Sequence, residues 1–565
     1  MIGVARDVRK DASNPLMQAG CSNDHLTGPM FSRILAQPLI RRTSRVSARM
    51  PRLGSSRSTA SIRLALLAVL CALGVLTGCT GRRFAPLEPA AAAAALPAQD
   101  AAPRAASASF RSTADAAVST LEGAFYHAPG RWNACVPGTC GTVVRDWGAD
   151  TLADVLAFRW RVARDPSIVP VIDAMTQATP TYGSCERGKC SMWSDIPMWD
   201  SVADARAFAV TGAPLALEKA RRAFALVDGS NAFGLGACPS IDFQQPAGGK
   251  TALKTLETDS NYIRAALLLH GLTGEPGYLA KARAKYAAVR RYFLDPLVPL
   301  YSVYVFDNGA ACTQLPQRFF ASVNGNMIDN GLMLAAQTGA GSYRRDALAT
   351  ARAVVHDLSD DSGVYANLQA DNDVAQPLVE AMYDLATAGG QRFARRWLIA
   401  AATVAQPAPS GAYGRFFDGP PPQGPISAWS ANGGLALAVA AGALDPTGAA
   451  GTRDYWARAR YIADPLAAAP AAISFTGRAI ALIGTIGEVC CEAGHIRVFI
   501  DGKQTFNHTG IWQNKSPASH ALPNSVLFSW RWSRSERHTI TLEPGLRNPK
   551  EGGSFIHLAG YEVVP

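Results

Sequence analysis

The sequence predicts a mainly α protein, an (α/α)6 barrel followed by a small β-sandwich domain. Three observations predict it: a helix–turn–helix joint that recurs through residues 113–465, polar segments at the start of every second helix, and a change to short strand-like segments from residue 472.

The N-terminus comes first in the chain. Residues 64–78 read LALLAVLCALGVLTG, preceded by Arg52, Arg57 and Arg63 and followed by Cys79. That is the basic, apolar, small-residue order of a secretory signal, and the stretch is shorter than the roughly 20 residues of a membrane span. Leu76-Thr77-Gly78-Cys79 resembles the lipobox of bacterial lipoproteins, which implies a lipid on Cys79. Thr80, where retained lipoproteins of this kind carry Asp, implies an outer-membrane destination facing the periplasm or the cell surface. Residues 1–78 are thus an upstream segment with a signal peptide. Residues 79–112, Ala- and Pro-rich with few large apolar side chains, read as a lipidated tether.

Charge narrows the partners. The formal net charge is +10, but residues 1–78 hold 11 Lys and Arg against 3 Asp, which leaves 43 basic and 41 acidic side chains downstream. Near-balance argues against nucleic acid. Eight cysteines follow Cys79, and an even number in an oxidising compartment favours disulfides. Short loops close naturally in CVPGTC (135–140) and CERGKC (185–190), while the vicinal Cys490-Cys491 either bond to each other or pair elsewhere. The spacings lack the Cys/His clusters of a zinc site, and neither a metal nor a cofactor is expected.

Six joints organise residues 113–465. Three are plain: FAVTGAPLALEKARRAF around Gly212, LHGLTGEPGYLAKARAKY around Gly274 and AAQTGAGSYRRDALATAR around Gly339. Weaker versions fall at Arg164-Asp165-Pro166, at Thr387-Ala388-Gly389, and at Thr447-Gly448 before TRDYWARARY. Glycine ends a helix in the left-handed conformation, and the residues after it cap the next. Loops of such unequal length fit a closed ring of six hairpins better than an open array. From residue 472 to 565 the segments AISFTGRAIALIG, HIRVFIDGKQTF, SVLFSWRW, HTITLEPG and FIHLAGYEVV read as strands between Gly, Pro and Asn turns.

In such a ring all inner helices start on one face, so the segments entering them converge. Those segments contain RDWGADTL, SMWSDIPMWDSV, LETDSNYIRAA, ASVNGNMIDNGL, ADNDVAQPLVEAMY and SAWSANGGLAL. Asp and Asn are ordinary helix caps, yet a cap needs only one per helix. Here Trp147, Trp193, Trp199 and Trp429 add flat apolar faces, and Asp200, Asn261, Asn324, Asn326, Asp329, Asp371, Glu380 and Asn432 add hydrogen-bonding groups. Sugars ask for this mixture, since their C–H faces stack on aromatic rings and their hydroxyls need polar partners. Glycoside hydrolysis requires two carboxyl groups, and Asp195, Asp200, Glu257, Asp259, Asp329, Asp371, Asp373 and Glu380 are candidates. Asp195 ranks first, because Trp193 and Trp199 flank it and apolar neighbours push a carboxyl towards proton donation. Asp373 and Asp259 are its expected partners. Serine-hydrolase, P-loop, dinucleotide and HExxH signatures are absent.

The run Trp193-Ser194-Asp195 through Trp199, then ARAFAVTG and LALEKA, resembles a segment of glycoside hydrolase family 76, in which Asp-Asp precedes a Trp-rich helix. ASVNGNMIDNGLMLAAQTG is similar to a later Tyr-Asn-x-Gly helix of that family, and the resemblance spans about residues 115–450. It implies a retaining α-1,6-mannanase-like enzyme with adjacent aspartates as nucleophile and acid/base. Asp195 matches the second aspartate and Ser194 stands at the first, a departure that puts the nucleophile in question. N-acylglucosamine 2-epimerases share the barrel and imply paired catalytic histidines, whereas His270 and His356 fall on helix bodies. The C-terminal region is similar to β-sandwich modules of secreted glycosidases, with Trp512, Trp530 and Trp532 as sugar platforms or core. The expected protein is an exported glycoside hydrolase acting on a polysaccharide or oligosaccharide. Its rivals are a non-catalytic glycan-binding lipoprotein of polysaccharide secretion, and a lyase or epimerase on the same barrel.

Overall fold

The computed structural model describes residues 108–565 apart from 128, 139, 144–146, 180, 183–191, 229–232, 235, 246–251, 316–317, 367–372, 450–455, 464–470, 487–494, 506–510, 513–521 and 545–557. The signal segment, Cys79, Asp371, the 185–190 cysteines and Cys490-Cys491 lie outside the described residues.

Among the described residues twelve α-helices form: α1 (Phe110–Thr120), α2 (Trp147–Ala163), α3 (Ile168–Ala178), α4 (Asp195–Thr211), α5 (Pro214–Asp228), α6 (Leu256–Thr273), α7 (Pro276–Tyr292), α8 (Ala321–Thr338), α9 (Gly341–Asp357), α10 (Gln376–Ala386), α11 (Arg392–Val404) and α12 (Ala428–Leu444). The even-numbered helices pack side by side in order, and α12 returns to α2, which closes the ring. They are inner because both flanks and the axis bury them: α12, AWSANGGLALAVAAGAL, is covered along nearly its whole length. The odd-numbered helices show a single buried stripe, as Ala347, Ala351 and Val354 do on α9. None of the described helices is long and apolar enough to cross a membrane.

The joints form as their residues dictate. Gly212, Gly274 and Gly339 adopt φ of +70°, +73° and +72°, and their amides donate to the carbonyls of Phe208, His270 and Ala335. The sixth joint departs from expectation. After Thr447-Gly448 the described residues contain one short turn, Trp456–Arg458, and no outer helix. The sixth outer helix is α1, contributed by the opposite end of the domain. The Phe110 amide donates to Gly448 O at 2.8 Å, and a Cβ added to Gly442 of α12 would come within 2.6 Å of Ala114 Cβ.

The C-terminal β region follows the helices in the chain and contains β1 (Arg460–Ala463), β2 (Ala471–Ile486), β3 (His495–Ile500), β4 (Lys503–Gln504), β5 (Ile511–Trp512), β6 (Leu522–Pro544) and β7 (Leu558–Val564). The hydrogen-bonded order is β4-β3-β6-β2-β7-β1, with β5 beside β3 and every pair antiparallel. The two long strands, β2 and β6, carry both halves: one half of β2 pairs Ala471 with Leu542, the other Ile480 with Trp530, and bulges separate them. Simple in–out alternation fails in AIALI of β2. Ala479, Ala481 and Ile483 join the barrel core, while Ile480 and Leu482 join the core of the β region. Burial on both faces produces a continuous apolar run.

Candidate active site at the inner-helix entrances

The site starts from a short antiparallel sheet, Leu253–Thr255, Tyr304–Asp307 and Cys312–Gln314, at the mouth of the third hairpin. A disulfide between Cys238 and Cys312 ties its outer strand to the preceding loop, and a second joins Cys135 to Cys140, one of the two short loops expected to close. The sheet delivers Thr255 as the cap of α6: its hydroxyl accepts from the Glu257 amide at 3.2 Å. Glu257 and Asp195, in the first turns of α6 and α4, are each only slightly exposed.

Tyr304 joins them. Burial first, then the charge of Glu257 and, less strongly, that of Asp195, push the Tyr304 phenol far up, while Arg318 opposes them. The same Arg318 responds to Tyr304 and Glu257, so two carboxyl groups, a phenol and a guanidinium share one neighbourhood. Half-buried Trp193 stands two residues before Asp195, whereas Trp199 is 2 % exposed and belongs to the core. Ser194 is buried as a structural clamp. Its hydroxyl lies 2.8 Å from Phe243 O and 2.6 Å from Thr258 Oγ1, and its amide donates to Gln244 O.

The two expected partners of Asp195 have other surroundings. Asp259 turns behind the site to Lys285 of outer helix α7, at 3.0 Å, which also pairs with Asp242 at 2.6 Å. One cation between two buried carboxyls leaves an excess of acid, and burial with Asp242 lifts Asp259 to about 8 against the pull of Lys285. Asp373 instead caps α8, accepting from the amides of Ala321 at 2.7 Å and Ser322 at 3.4 Å. Burial raises its carboxyl well above the ordinary range despite those amides.

Several expected sugar contacts also prove structural. Asn324 bridges the Tyr301 amide and carbonyl. Asn432 accepts from the Gln376 amide and donates to Ala428 O and Trp429 O. Asp200 is fully buried and accepts from Tyr182. Trp429 is buried edge-on against half-buried Trp147, with ring centroids 5.5 Å apart; of that pair Trp147 keeps exposed surface.

Deeper along the axis, Glu380, Asp329, Asn326 and Asn261 enter a network built on Arg206 and Arg264. Arg206 forks onto Glu380 at 2.9 and 2.6 Å and reaches Asp154 at 3.3 Å. Arg264 donates to Asn326 at 2.7 Å and pairs with Asp329 at 3.2 Å, and Asn326 donates to Asn261 at 3.0 Å. Burial, which alone would raise Glu380, is outweighed by Arg206, Arg161 and Arg264, and its carboxyl lies below the usual range. His270 meets Gln337 at 2.9 Å, away from this axis.

Sequence reasoning missed Tyr304, Arg318, Arg206 and Arg264. The first two lie on the segment between hairpins, where no periodicity marks them. The arginines lie two to three turns into inner helices, and a charge inside a mostly buried helix is the signal that could have found them.

No protein-family profile matches the chain and no curated protein matches it. Solved structures do. An α-1,6-mannanase of family 76 from Salegentibacter sp. HEL1_6, an inactive variant with two consecutive aspartates replaced by asparagine and bound to α-1,6-mannotriose, superposes with a TM-score of 0.52. It is 17 % identical and covers 60 % of this chain and all of its own. The barrel has the six-hairpin fold of these enzymes. A family 76 mannosidase from Bacteroides thetaiotaomicron is 12 % identical over 59 % of this chain and 98 % of its own, with a TM-score of 0.50. On this family 76 fold, Ser194-Asp195 stands where the sequence resemblance expects consecutive aspartates, and Glu257 is the other carboxyl beside Tyr304.

Proposed function

We propose that the barrel is a glycoside hydrolase whose carboxyl pair is Asp195 and Glu257. The observation that carries this reading is that Asp195 and Glu257 lie in the first turns of two adjacent, packed inner helices, on the face where six inner helices begin, near enough for both charges to act on Tyr304. In the proposed reaction Asp195, beside Trp193, donates a proton to the leaving oxygen. Glu257, whose charge Arg318 favours, attacks the anomeric carbon or activates water. The half-buried faces of Trp193 and Trp147 suit the C–H faces of the sugar. Neighbours that bind α-1,6-mannooligosaccharides make these the first substrates to try. The reading includes export as a lipoprotein held by Cys79 at the outer membrane.

The test is release of reducing ends from α-1,6-mannan and a panel of bacterial exopolysaccharides, comparing the protein with its Asp195→Asn variant. Release that disappears in the variant supports hydrolysis; equal release from both rejects the role given to Asp195. One observation favours a second reading, a glycan-binding protein without turnover: the place of the first family aspartate is held by Ser194, sealed in contacts to Phe243 and Thr258. Retained polysaccharide binding with no release on any substrate would establish it.

A further inference from the structure

The outer helices do not share charge evenly. α7, α9 and α11 carry 11 Lys and Arg against 2 Asp, whereas α1, α3 and α5 carry 4 basic against 4 acidic side chains. The three basic helices are consecutive around the ring and joined to one another. Arg290 of α7 pairs with Asp346 of α9 at 2.6 Å, and the Arg352 guanidinium of α9 lies 5.8 Å from the Phe393 ring of α11. Solubility asks for both signs interspersed. A field of one sign on one flank, in a folded part that is close to neutral as a whole, instead attracts anions.

The charge is densest at the end of the barrel where the helices of each hairpin are joined. Arg344 and Arg345 fall within the first five residues of α9, and Arg392, Arg395 and Arg396 within the first five of α11. All five are exposed. Cations at a helix start oppose the helix dipole, so the stability of α9 and α11 does not account for them. Arg344 donates to Gly389 O at 2.9 Å and Arg395 to Leu444 O at 2.8 Å. Arg345, Arg392 and Arg396 enter no ion pair among the described residues, and the carboxylates of Asp346 and Asp384 are taken by Arg290 and Arg161. The same end receives the chain. The Phe110 and Arg111 amides donate to Gly448 O and Pro446 O at 2.8 and 3.2 Å, in the turn whose first residue, Leu444, Arg395 holds. The entrance with Asp195 and Glu257 lies at the opposite end, about 27 Å away along an inner helix of 18 residues.

We propose that the joint ends of α9 and α11 dock on an anionic phospholipid surface, which turns the carboxyl pair away from the membrane and towards glycan in solution. The inference rests on the lipoprotein reading given above: a lipid on Cys79, 30 residues before Ser109, acts on this end of the barrel and raises the effective concentration of a weak surface contact. Vesicle sedimentation would use the full chain carrying Cys79→Ser, so that no lipid contributes, with phosphatidylglycerol vesicles, phosphatidylcholine vesicles and soluble polygalacturonate as probes. Residues 1–78 are common to every form, so ratios of partition coefficients report on the barrel. Arg345→Gln, Arg392→Gln and Arg396→Gln together should lower partition onto phosphatidylglycerol about a hundredfold, from about fivefold per arginine, while Arg345→Lys, Arg392→Lys and Arg396→Lys together should retain it. Arg222→Gln, Arg478→Gln and Arg537→Gln together remove the same charge from other exposed places and should leave partition nearly unchanged. The difference should vanish as salt rises from about 0.1 M to about 1 M and the screening length falls from about 10 Å to about 3 Å. The proposal is overturned if both glutamine triples lose binding alike, if neither does, if phosphatidylcholine binds equally well, or if polygalacturonate takes the protein from the vesicles through the same three arginines. The mass of the exported protein reports the lipid on Cys79 separately, so failure of the anchor and failure of the charged face are told apart.

Discussion

The axis of the barrel and its entrance floor are built from the same residue types and behave differently. On the axis, Arg206 and Arg264 face Glu380, Asp154 and Asp329, and Arg161, an exposed side chain at the far end of its helix, adds contacts to Glu380 and Asp384. At the entrance, Asp195 and Glu257 share a neighbourhood with a phenol and with Arg318, itself half-buried. Depth is the difference. Charges two turns inside the ring must find partners within the protein, because an unpaired buried ion costs several kcal/mol. Charges in the first turn lie at helix N-termini, where the dipole supports carboxylates.

Breaking the axis should cost most. Arg206→Ala removes the ion pair of Asp154 and leaves Glu380 with only its longer ion pairs to Arg161 and Arg264, with an expected loss of about 3–5 kcal/mol of stability. Urea unfolding would show it, and an unchanged midpoint would mean that the axis does not hold the ring together. Glu257→Gln is the reverse case. Activity should fall by about 10²- to 10⁴-fold while the unfolding midpoint stays near that of the parent, so a large loss of stability would move Glu257 into the structural class with Glu380.

Ser194→Ala sharpens the boundary between the two regions. It removes the hydroxyl contacts to Phe243 and Thr258, at an expected cost of about 1–3 kcal/mol. A neutral substitution would mark the position as functional rather than structural. The smallest effect concerns Asp418, buried under the β region, where burial and then Asp360 raise the carboxyl well above its ordinary value. The folded state holds this proton more tightly than the unfolded chain. Its contribution to stability is therefore present in acid and declines as pH rises from about 4, the unfolded value, through the raised one. Asp418→Asn should flatten that decline, and melting curves across this range with an unaltered slope would mean that Asp418 does not carry it.

Periodicity made the hairpins legible. Gly212, Gly274 and Gly339 each end a helix in the predicted left-handed conformation, and all six inner-helix starts fall within the polar segments that were singled out. The site was less legible. Asp195 lies at the entrance as expected, but Asp259 and Glu257 are two residues apart on one helix and face opposite ways, one towards Lys285 and the other towards Tyr304. Their relative merit depended on what the neighbouring loop brought in. For the same reason Asn324 and Asn432 read as sugar contacts until their backbone partners were visible.

By itself the sequence determined helix against strand, the positions of five of the six joints, the Cys135–Cys140 loop and the common face of the inner helices. All of these follow from local rules: side-chain spacing, left-handed glycine and the reach of a short loop. Tertiary structure alone decided that α1 is the sixth outer helix, that Cys238 meets Cys312 across 74 residues, and that Glu257 rather than Asp259 stands beside Asp195's neighbour Tyr304. Those outcomes depend on which surfaces are already covered when distant segments meet, and no window of sequence contains that information.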